Sequence, residues 1–392
     1  MAQRSFVLKR STRFALAYGA FFLGFGAYLP FIPAWYETRG LSAEMVGLAV
    51  SASMVGRVLA APLGAALGDR AAKKRHALLF FALATFVLFL AHIPASNPWV
   101  IVALACVAGG AYTGIIPIMD AFAMSEATRR GFAFGPPRAV GSAFFIAGNL
   151  MCGLLIQHFG GEAAVVWTIM GTGLAIVTVL LLPEGRRVRA SEGPSGPSDK
   201  SGLLAAMTAG GLPLAFAASA FIQSGHGFYY AFSTIGWSAQ GFSSFAIGAL
   251  WATGVAAEIV FFWLSSRLFR SWSPALLMLV GGGVAALRWM LLALSPPLAV
   301  LFPLQALHAF SFGATYLGFL KYANAASPPQ FATTAQAINS ALSGGVMLAA
   351  ATFASGFAYA VFGIGGFAVM AIPSLAGLCC AAALVYRERR AP

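Results

Sequence analysis

The sequence predicts an all-α polytopic membrane protein of twelve transmembrane helices, and three observations predict it. Hydrophobic residues make up 59% of the 392 positions and charged residues only 9%, with a mean hydropathy of +0.82, which leaves a water-facing surface almost nothing to show solvent. Apolar runs recur along the whole chain, each near the roughly 20 residues that cross a bilayer as a helix. Lys and Arg gather in every second joint between these runs, the asymmetry that orients membrane helices.

The elements follow in order. Helix 1 (11–35) comes after Arg4, Lys9, Arg10 and Arg13; its apolar stretch is too long for a signal-peptide core and no small-residue cleavage site closes it, so it stays as the first span. Helices 2 (42–68) and 3 (77–94) are parted by Asp69-Arg70 with Lys73, Lys74 and Arg75, and helices 4 (98–124) and 5 (136–158) by a joint holding Arg129 and Arg130. Helix 6 (162–183) runs into Arg186, Arg187, Arg189 and Lys200. Helices 7 (204–236) and 8 (243–265) follow; Arg267 and Arg270 precede helix 9 (274–295), and Lys321 closes helix 10 (298–322). Helices 11 (333–358) and 12 (365–386) lead to Arg387, Arg389 and Arg390, whereas the opposite joints hold only Arg39. Both termini are therefore expected in the cytoplasm.

Residues 183–202, PEGRRVRASEGPSGPSDKSG, offer Pro, Gly, Ser and charge with little to bury, the composition of a flexible linker. They divide the chain into a first six-helix bundle (1–183), a linker (184–202) and a second bundle (203–392), with the basic joint GDRAAKKR faintly repeated as SSRLFR. Paired six-helix halves with a site at their interface are the plan of one large group of secondary transporters. The net charge of +13 is spread over the joints of one face, so it reads as membrane orientation and excludes a nucleic-acid module. Cys106, Cys152, Cys379 and Cys380 have no metal-ligand spacing and are expected as small core residues. No motif for hydrolysis, phosphate binding or metal coordination occurs, so neither an enzyme, a metal site nor a cofactor is expected; an ATP-driven pump lacks its nucleotide domain.

Five charges, Arg57, Asp120, Arg138, Glu258 and Arg288, lie inside otherwise apolar spans. At about 2.5 to 3.5 kcal/mol each by insertion scales, they point to a site. Asp120 and Arg138 are equidistant from residue 129, in the joint between helices 4 and 5, so antiparallel packing sets them level as an ion pair. Glu258 and Arg288 are equidistant from residue 273 in the joint between helices 8 and 9, and are expected level and paired as well. Glu258, in an Ala-Ala-Glu-Ile-Val setting that disfavours a bare charge, is the better proton carrier. Arg57 has no local partner, and three arginines against two acids leave one positive charge for a substrate carboxylate. Lys321 is placed to snorkel to the surface. His226 and His308 also fall within spans, and His226 precedes Gly227-Phe228-Tyr229-Tyr230, an aromatic group suited to stack on a ring.

The joint Gly64-Ala65-Ala66-Leu67-Gly68-Asp69-Arg70-Ala71-Ala72-Lys73-Lys74-Arg75 resembles the signature between helices 2 and 3 of the major facilitator superfamily, with Ala65 and Ala72 where glycines are usual. The resemblance implies a gate role for Asp69 and Arg70, a cavity lined by helices 1, 4, 7 and 10, and helices 3, 6 and 12 toward lipid. Within the superfamily, GAYLPFIPAWYETRGLS (26–42), IPIMDAF (116–122), FGPPRAVGSAFF (134–145), FIQSGHGFYYAFSTIGW (221–237), GVAAEIVFF (254–262), ALRWM (286–290) and LQALHAF (304–310) resemble the phenylpropionate permease branch and, more distantly, that of lactose permease. Asp120 and Arg138 match the acid and Arg that hold sugar in the latter, and Arg288 and His308 its proton-site Arg and His. Ser311 stands where that branch has its coupling Glu, so the proton role is moved to Glu258.

The expected function is thus a monomeric, proton-coupled symporter that imports a small anionic organic acid of phenylpropanoid type by alternating access. Asp120, Arg138, Arg57, His226, Tyr229, Tyr230 and His308 would serve substrate, and Glu258 and Arg288 the proton. A sugar or nucleoside symporter and a proton-coupled exporter of hydrophobic compounds remain as alternatives.

Overall fold

The computed structural model describes residues 8–70, 73–185, 207–208, 210–328 and 331–390, without the side chains of 61–70. The described residues are almost wholly helical. Six continuous helices form the first half: α1 (Arg10–Thr38), α2 (Ala43–Arg70), α3 (Lys74–His92), α4 (Pro98–Arg130), α5 (Gly135–Phe159) and α6 (Glu162–Leu180). The second half is less regular. Its first span is α7a (Leu212–Ser224) and α7b (Gly227–Ala239), followed by α8 (Ser244–Leu268) and α9 (Pro274–Ala293). The next is α10a (Leu298–Ala306), a π turn (Ala309–Ala314) and α10b (Thr315–Ala326). Then come α11a (Ala332–Ala341), a π turn (Leu342–Met347), α11b (Leu348–Phe362), a 3-10 stretch (Gly363–Met370) and α12 (Ala371–Arg390).

Among the described residues, ten helical stretches are long and apolar enough to cross a bilayer. The count becomes twelve spans because the break at Gly225–His226 leaves both halves of the seventh too short to qualify. In addition, the last stretch, Ala332–Arg390, holds two spans in 59 residues. A straight helix of that length would run roughly 90 Å, about three hydrocarbon thicknesses. It turns instead at Gly363, where φ is +54°, a backbone region that glycine enters without a Cβ clash.

Local chemistry fixes the ends. The Asn97 side chain accepts hydrogen bonds from the Trp99 and Val100 amides with Pro98 at the first helical position, and Ser243 and Ser273 cap α8 and α9 in the same manner. Each cap satisfies amides that a helix start leaves without partners. Gly131, at φ +71°, closes α4 as a left-handed C-cap. The C-terminal carbonyls of α6 and the residues just after it are gripped by arginines: Arg75 donates to Leu180 and Leu182, and Arg13 to Leu181.

Exposed apolar side chains occur on many helices, Trp263 of α8 and Val361 of α11b among them, and the helices expected toward lipid are included. Phe80 and Val87 of α3, Met170 and Val177 of α6 and Ile372 of α12 are exposed. Cys379 is exposed there too and only Cys152 is fully buried, which corrects the expectation of four core cysteines.

Between the halves, α1 packs on α7b, α2 on α11b and α5 on α8. The contacts concentrate at the end opposite the basic joints. There, Ser51 donates to the Ala349 carbonyl at 2.8 Å, and glycines let backbones meet. A Cβ on Gly153 would come within 2.4 Å of the Ser244 oxygen, one on Gly248 within 2.4 Å of the Asn149 oxygen, and one on Gly47 within 2.9 Å of the Gly356 Cα. Small residues allow this approach in membranes, where no side-chain burial against water drives helices together.

Candidate functional site

A cavity of about 590 Å³ lies between the halves. It is walled by α1 (Phe25, Tyr28), α2 (Met54, Arg57), α7 (Gln223, Tyr230), α10 (Phe312, Tyr316) and α11 (Asn339, Ser340, Gly344), with Thr113 from α4. Apolar and aromatic groups predominate, with a few polar ones, the usual make-up of a small-molecule site.

Arg57 is the charged residue of this wall and is exposed to the cavity. No carboxylate lies within 4 Å of it among the described residues. Its guanidinium rests beside Gly344, where a Cβ would stand 3.2 Å from Nη2, so glycine is what leaves room for the arginine. Tyr230, in the same wall, has its ring 6.1 Å from that of His226.

Behind Tyr230 sits a second cluster, within the second half. Glu258 Oε2 lies 3.5 Å from His308 Nε2. The His308 ring is 5.2 Å from that of His226, whose Nε2 is 3.4 Å from Ser311 Oγ and whose Nδ1 faces the Gln223 carbonyl at 3.1 Å. Arg288 is fully buried. It donates from Nε to the Leu304 carbonyl (2.9 Å) and from Nη2 to Gln305 Oε1 (2.8 Å), with Ser311 Oγ at 3.5 Å from Nη1. Its guanidinium lies over the rings of Trp289 (4.5 Å) and Tyr229 (5.1 Å), cation–π contacts that partly replace a counter-ion.

Two expectations are corrected here. Glu258 pairs with His308 and makes no ion pair with Arg288 within 4 Å among the described residues; Arg288 turns instead to α10a, whose last turn presents carbonyls without helical partners. His226, Tyr229 and His308, all expected to serve substrate, are buried, at 1%, 3% and 8% exposure, and do not wall the cavity. Tyr229 stacks on Trp251 with centroids 4.3 Å apart, while Tyr230 alone of that aromatic group reaches the cavity.

In the first half, Arg138 Nε and Asp120 Oδ1 are 3.5 Å apart. Tyr18 donates to Asp120 at 2.6 Å, and Arg138 lies over the Phe22 ring at 4.6 Å. The pair is part-exposed and outside the residues that wall the cavity. Asp69 and Arg70 end α2, but their side chains lie outside the described residues. The rest of that joint is engaged: Lys73 Nζ is 2.8 Å and Arg75 Nη2 3.6 Å from Glu184, and the Lys74 amide donates to the Gly185 carbonyl at 3.2 Å. The Lys73 contact holds the Glu184 carboxyl below its ordinary range. Lys321 donates to the Phe269 carbonyl at the end of α8.

Sequence reasoning missed Glu126, buried at 3% and paired with Arg10 (2.6 Å) and Arg129. Ending helix 4 at residue 124 put Glu126 in a joint; its three-residue spacing from Arg129 was the available signal. It also passed over Tyr28, Asn339 and Ser340, uncharged polar groups inside spans that carry no strong cost.

The sequence pattern of the MFS_1 like family matches residues 11–367. The chain is 29% identical over 370 residues to the probable 3-phenylpropionic acid transporter of Escherichia coli (strain K12), covering 94% of this chain and 96% of that one. It is 25% identical over 387 residues to the maltose permease of Geobacillus stearothermophilus, covering 97% and 96%. The crystal structure of the nucleoside transporter NupG superposes with a TM-score of 0.83 at 14% identity, over 98% of this chain and 100% of that one. The match over most of its length shows that the chain belongs to the MFS_1 like family, a transporter of the major facilitator fold.

Proposed function

We propose that this transporter is a proton-coupled symporter that imports a small aromatic organic acid, works as a monomer in a bacterial inner membrane, and keeps both termini and the basic joints in the cytoplasm. The observation that carries the reading is Arg57, a cavity-facing arginine with no carboxylate beside it among the described residues, set among Tyr28, Tyr230 and Phe312. A guanidinium there takes a carboxylate in a two-pronged hydrogen bond, and the aromatic wall takes a flat ring. The Escherichia coli relative bears the name of a 3-phenylpropionic acid transporter, in accord with this reading.

Glu258, against His308, is the proposed proton carrier. Tyr230 ties it to the substrate, because that side chain meets the cavity and its ring is 6.1 Å from His226, whose ring is 5.2 Å from that of His308 beside Glu258. Asp120 with Arg138, and Asp69 with Arg70, are proposed as gate elements of the first half. The halves closed opposite the basic joints then correspond to the cytoplasm-facing state of alternating access.

Counterflow in proteoliposomes with 3-phenylpropionate, maltose and uridine tests the substrate class: exchange of the acid alone is expected, and exchange of only the sugar or nucleoside overturns it. In the same vesicles Glu258→Gln is expected to abolish accumulation driven by a pH gradient while exchange persists. Gradient-driven accumulation by that variant removes the proton role.

A further inference from the structure

The end of the molecule opposite the basic joints is shut by backbone contact, and one polar side chain is caught inside that closure. Asn149 of α5 is 0% exposed. A Cβ on Gly248 of α8, in the other half, would run into its carbonyl oxygen, and one on Gly26 of α1 would lie 3.1 Å from its amide nitrogen. Gly148, beside it, meets Leu23 of α1, and Gly153, one turn on, meets Ser244 of α8. Residue 149 therefore stands at the junction of α1, α5 and α8, where the halves touch.

Both Oδ1 and Nδ2 of this side chain are sealed from water, and neither has a hydrogen-bond partner. Among the described residues no other amide side chain is in that position: in Asn339, Gln240 and Gln305 one atom alone is sealed and unbonded. Exchanging the two ends of the Asn149 amide changes nothing, since both lack a partner. An amide taken out of water without replacement bonds is strongly disfavoured. That penalty exists only while the end is shut. When α5 parts from α8, water reaches the amide and supplies the missing bonds, so the shut conformer is loaded and the parted one relieved.

We propose that Asn149 is an opening element, a sealed amide that works against the glycine contacts around it and keeps the conformer parted at this end within thermal reach. The inference rests on the alternating-access reading above and adds what frees the shut end. Glycine contacts alone favour closure, whereas a carrier has to part this seam in every cycle.

The test reads how often the seam parts. Thr234 of α7b is 4% exposed and lies one turn beyond the cavity-lining Tyr230 on the same helix face, in the helix that packs on α1 of the other half. In the full chain with its four cysteines replaced by alanine, Thr234→Cys gives a sealed thiol that N-ethylmaleimide reaches through the parted conformer. Its labelling rate in proteoliposomes thus follows the opening equilibrium. Asn149→Ala and Asn149→Val remove the amide and are expected to slow labelling by about 5- to 150-fold. Asn149→Asp keeps the shape, and its carboxylate is harder to seal than the amide, so labelling is expected to speed up, more at alkaline pH than in mild acid. Equal rates with asparagine, alanine and valine, or faster labelling in the alanine variant, overturn the inference and leave the alternating-access reading standing. No labelling in any of these proteins overturns both.

Discussion

The glycine seam between the halves sets a measurable bias. A Cβ on Gly153 would lie 2.4 Å from the Ser244 oxygen and 3.0 Å from its carbonyl carbon, and one on Gly47 2.9 Å from the Gly356 Cα and 3.0 Å from its nitrogen. These neighbours are backbone, so nothing yields cheaply. Overpacking of this kind costs about 1 to 3 kcal/mol, and it is paid only while the seam is shut. Gly153→Leu is therefore expected to shift the equilibrium toward the conformer parted at that end by roughly 5- to 150-fold. Gly47→Leu acts on a different helix pair, so the two shifts should nearly add. Spin labels at Thr38 and Ala239, exposed at that end on opposite halves, report the opening as a longer distance in double electron–electron resonance. An unchanged distance distribution in the double variant would refute the reasoning, because it would mean that the seam does not set which end is closed.

Three further expectations follow from particular side chains. Arg288→Lys keeps the charge but loses the fork that serves Leu304 and Gln305 together; a loss of about 2 to 3 kcal/mol should appear as a lowered melting temperature in detergent, and an unchanged one would count against the buried fork. Gly344→Val brings atoms onto Arg57 and should raise the half-saturating substrate concentration several-fold with little change in protein yield; unaltered affinity would remove Arg57 from the site. The Glu184 carboxyl is held below its ordinary range by Lys73, so its contact is present above that range and lost as pH falls through the lowered pKa. Exchange protection of the Lys74 and Arg75 amides should accordingly decline in acid, and Glu184→Gln should show the low protection already at neutral pH. Equal protection in that variant at neutral pH would sink the idea.

Depth in the membrane was legible in the sequence, and rotation about the helix axis was not. Counting from residue 129 put Asp120 and Arg138 level, and they lie 3.5 Å apart, since α4 and α5 are unbroken and joined tightly. The same count put Glu258 and Arg288 level. They do not pair, because being level leaves each side chain free to face any neighbour, and Arg288 faces the carbonyls of α10a. Breaks defeated the reading elsewhere. The seventh helix is interrupted after Ser224, and this break turns His226 inward, whereas its expected start at residue 204 lies outside the described residues. The π turns in the tenth and eleventh spans leave no trace in an apolar pattern. Asn339 and Ser340, which wall the cavity, were invisible for another reason: uncharged polar residues in a span are common and carry no strong cost.

Arg288 also has an electrical consequence. It is a fixed positive charge with no carboxylate within 4 Å among the described residues, and Arg57 is another. Whatever fraction of the transmembrane voltage these two guanidinium groups traverse as the halves rock, the empty carrier does work against it. A full crossing is worth about 2.3 kcal/mol per charge per 100 mV. In the cycle proposed above, the ionised Glu258 offsets one of the two in the empty carrier and a bound carboxylate would offset one in the loaded carrier with Glu258 protonated, so both steps would carry the same net charge and uptake of one acid with one proton would be electroneutral.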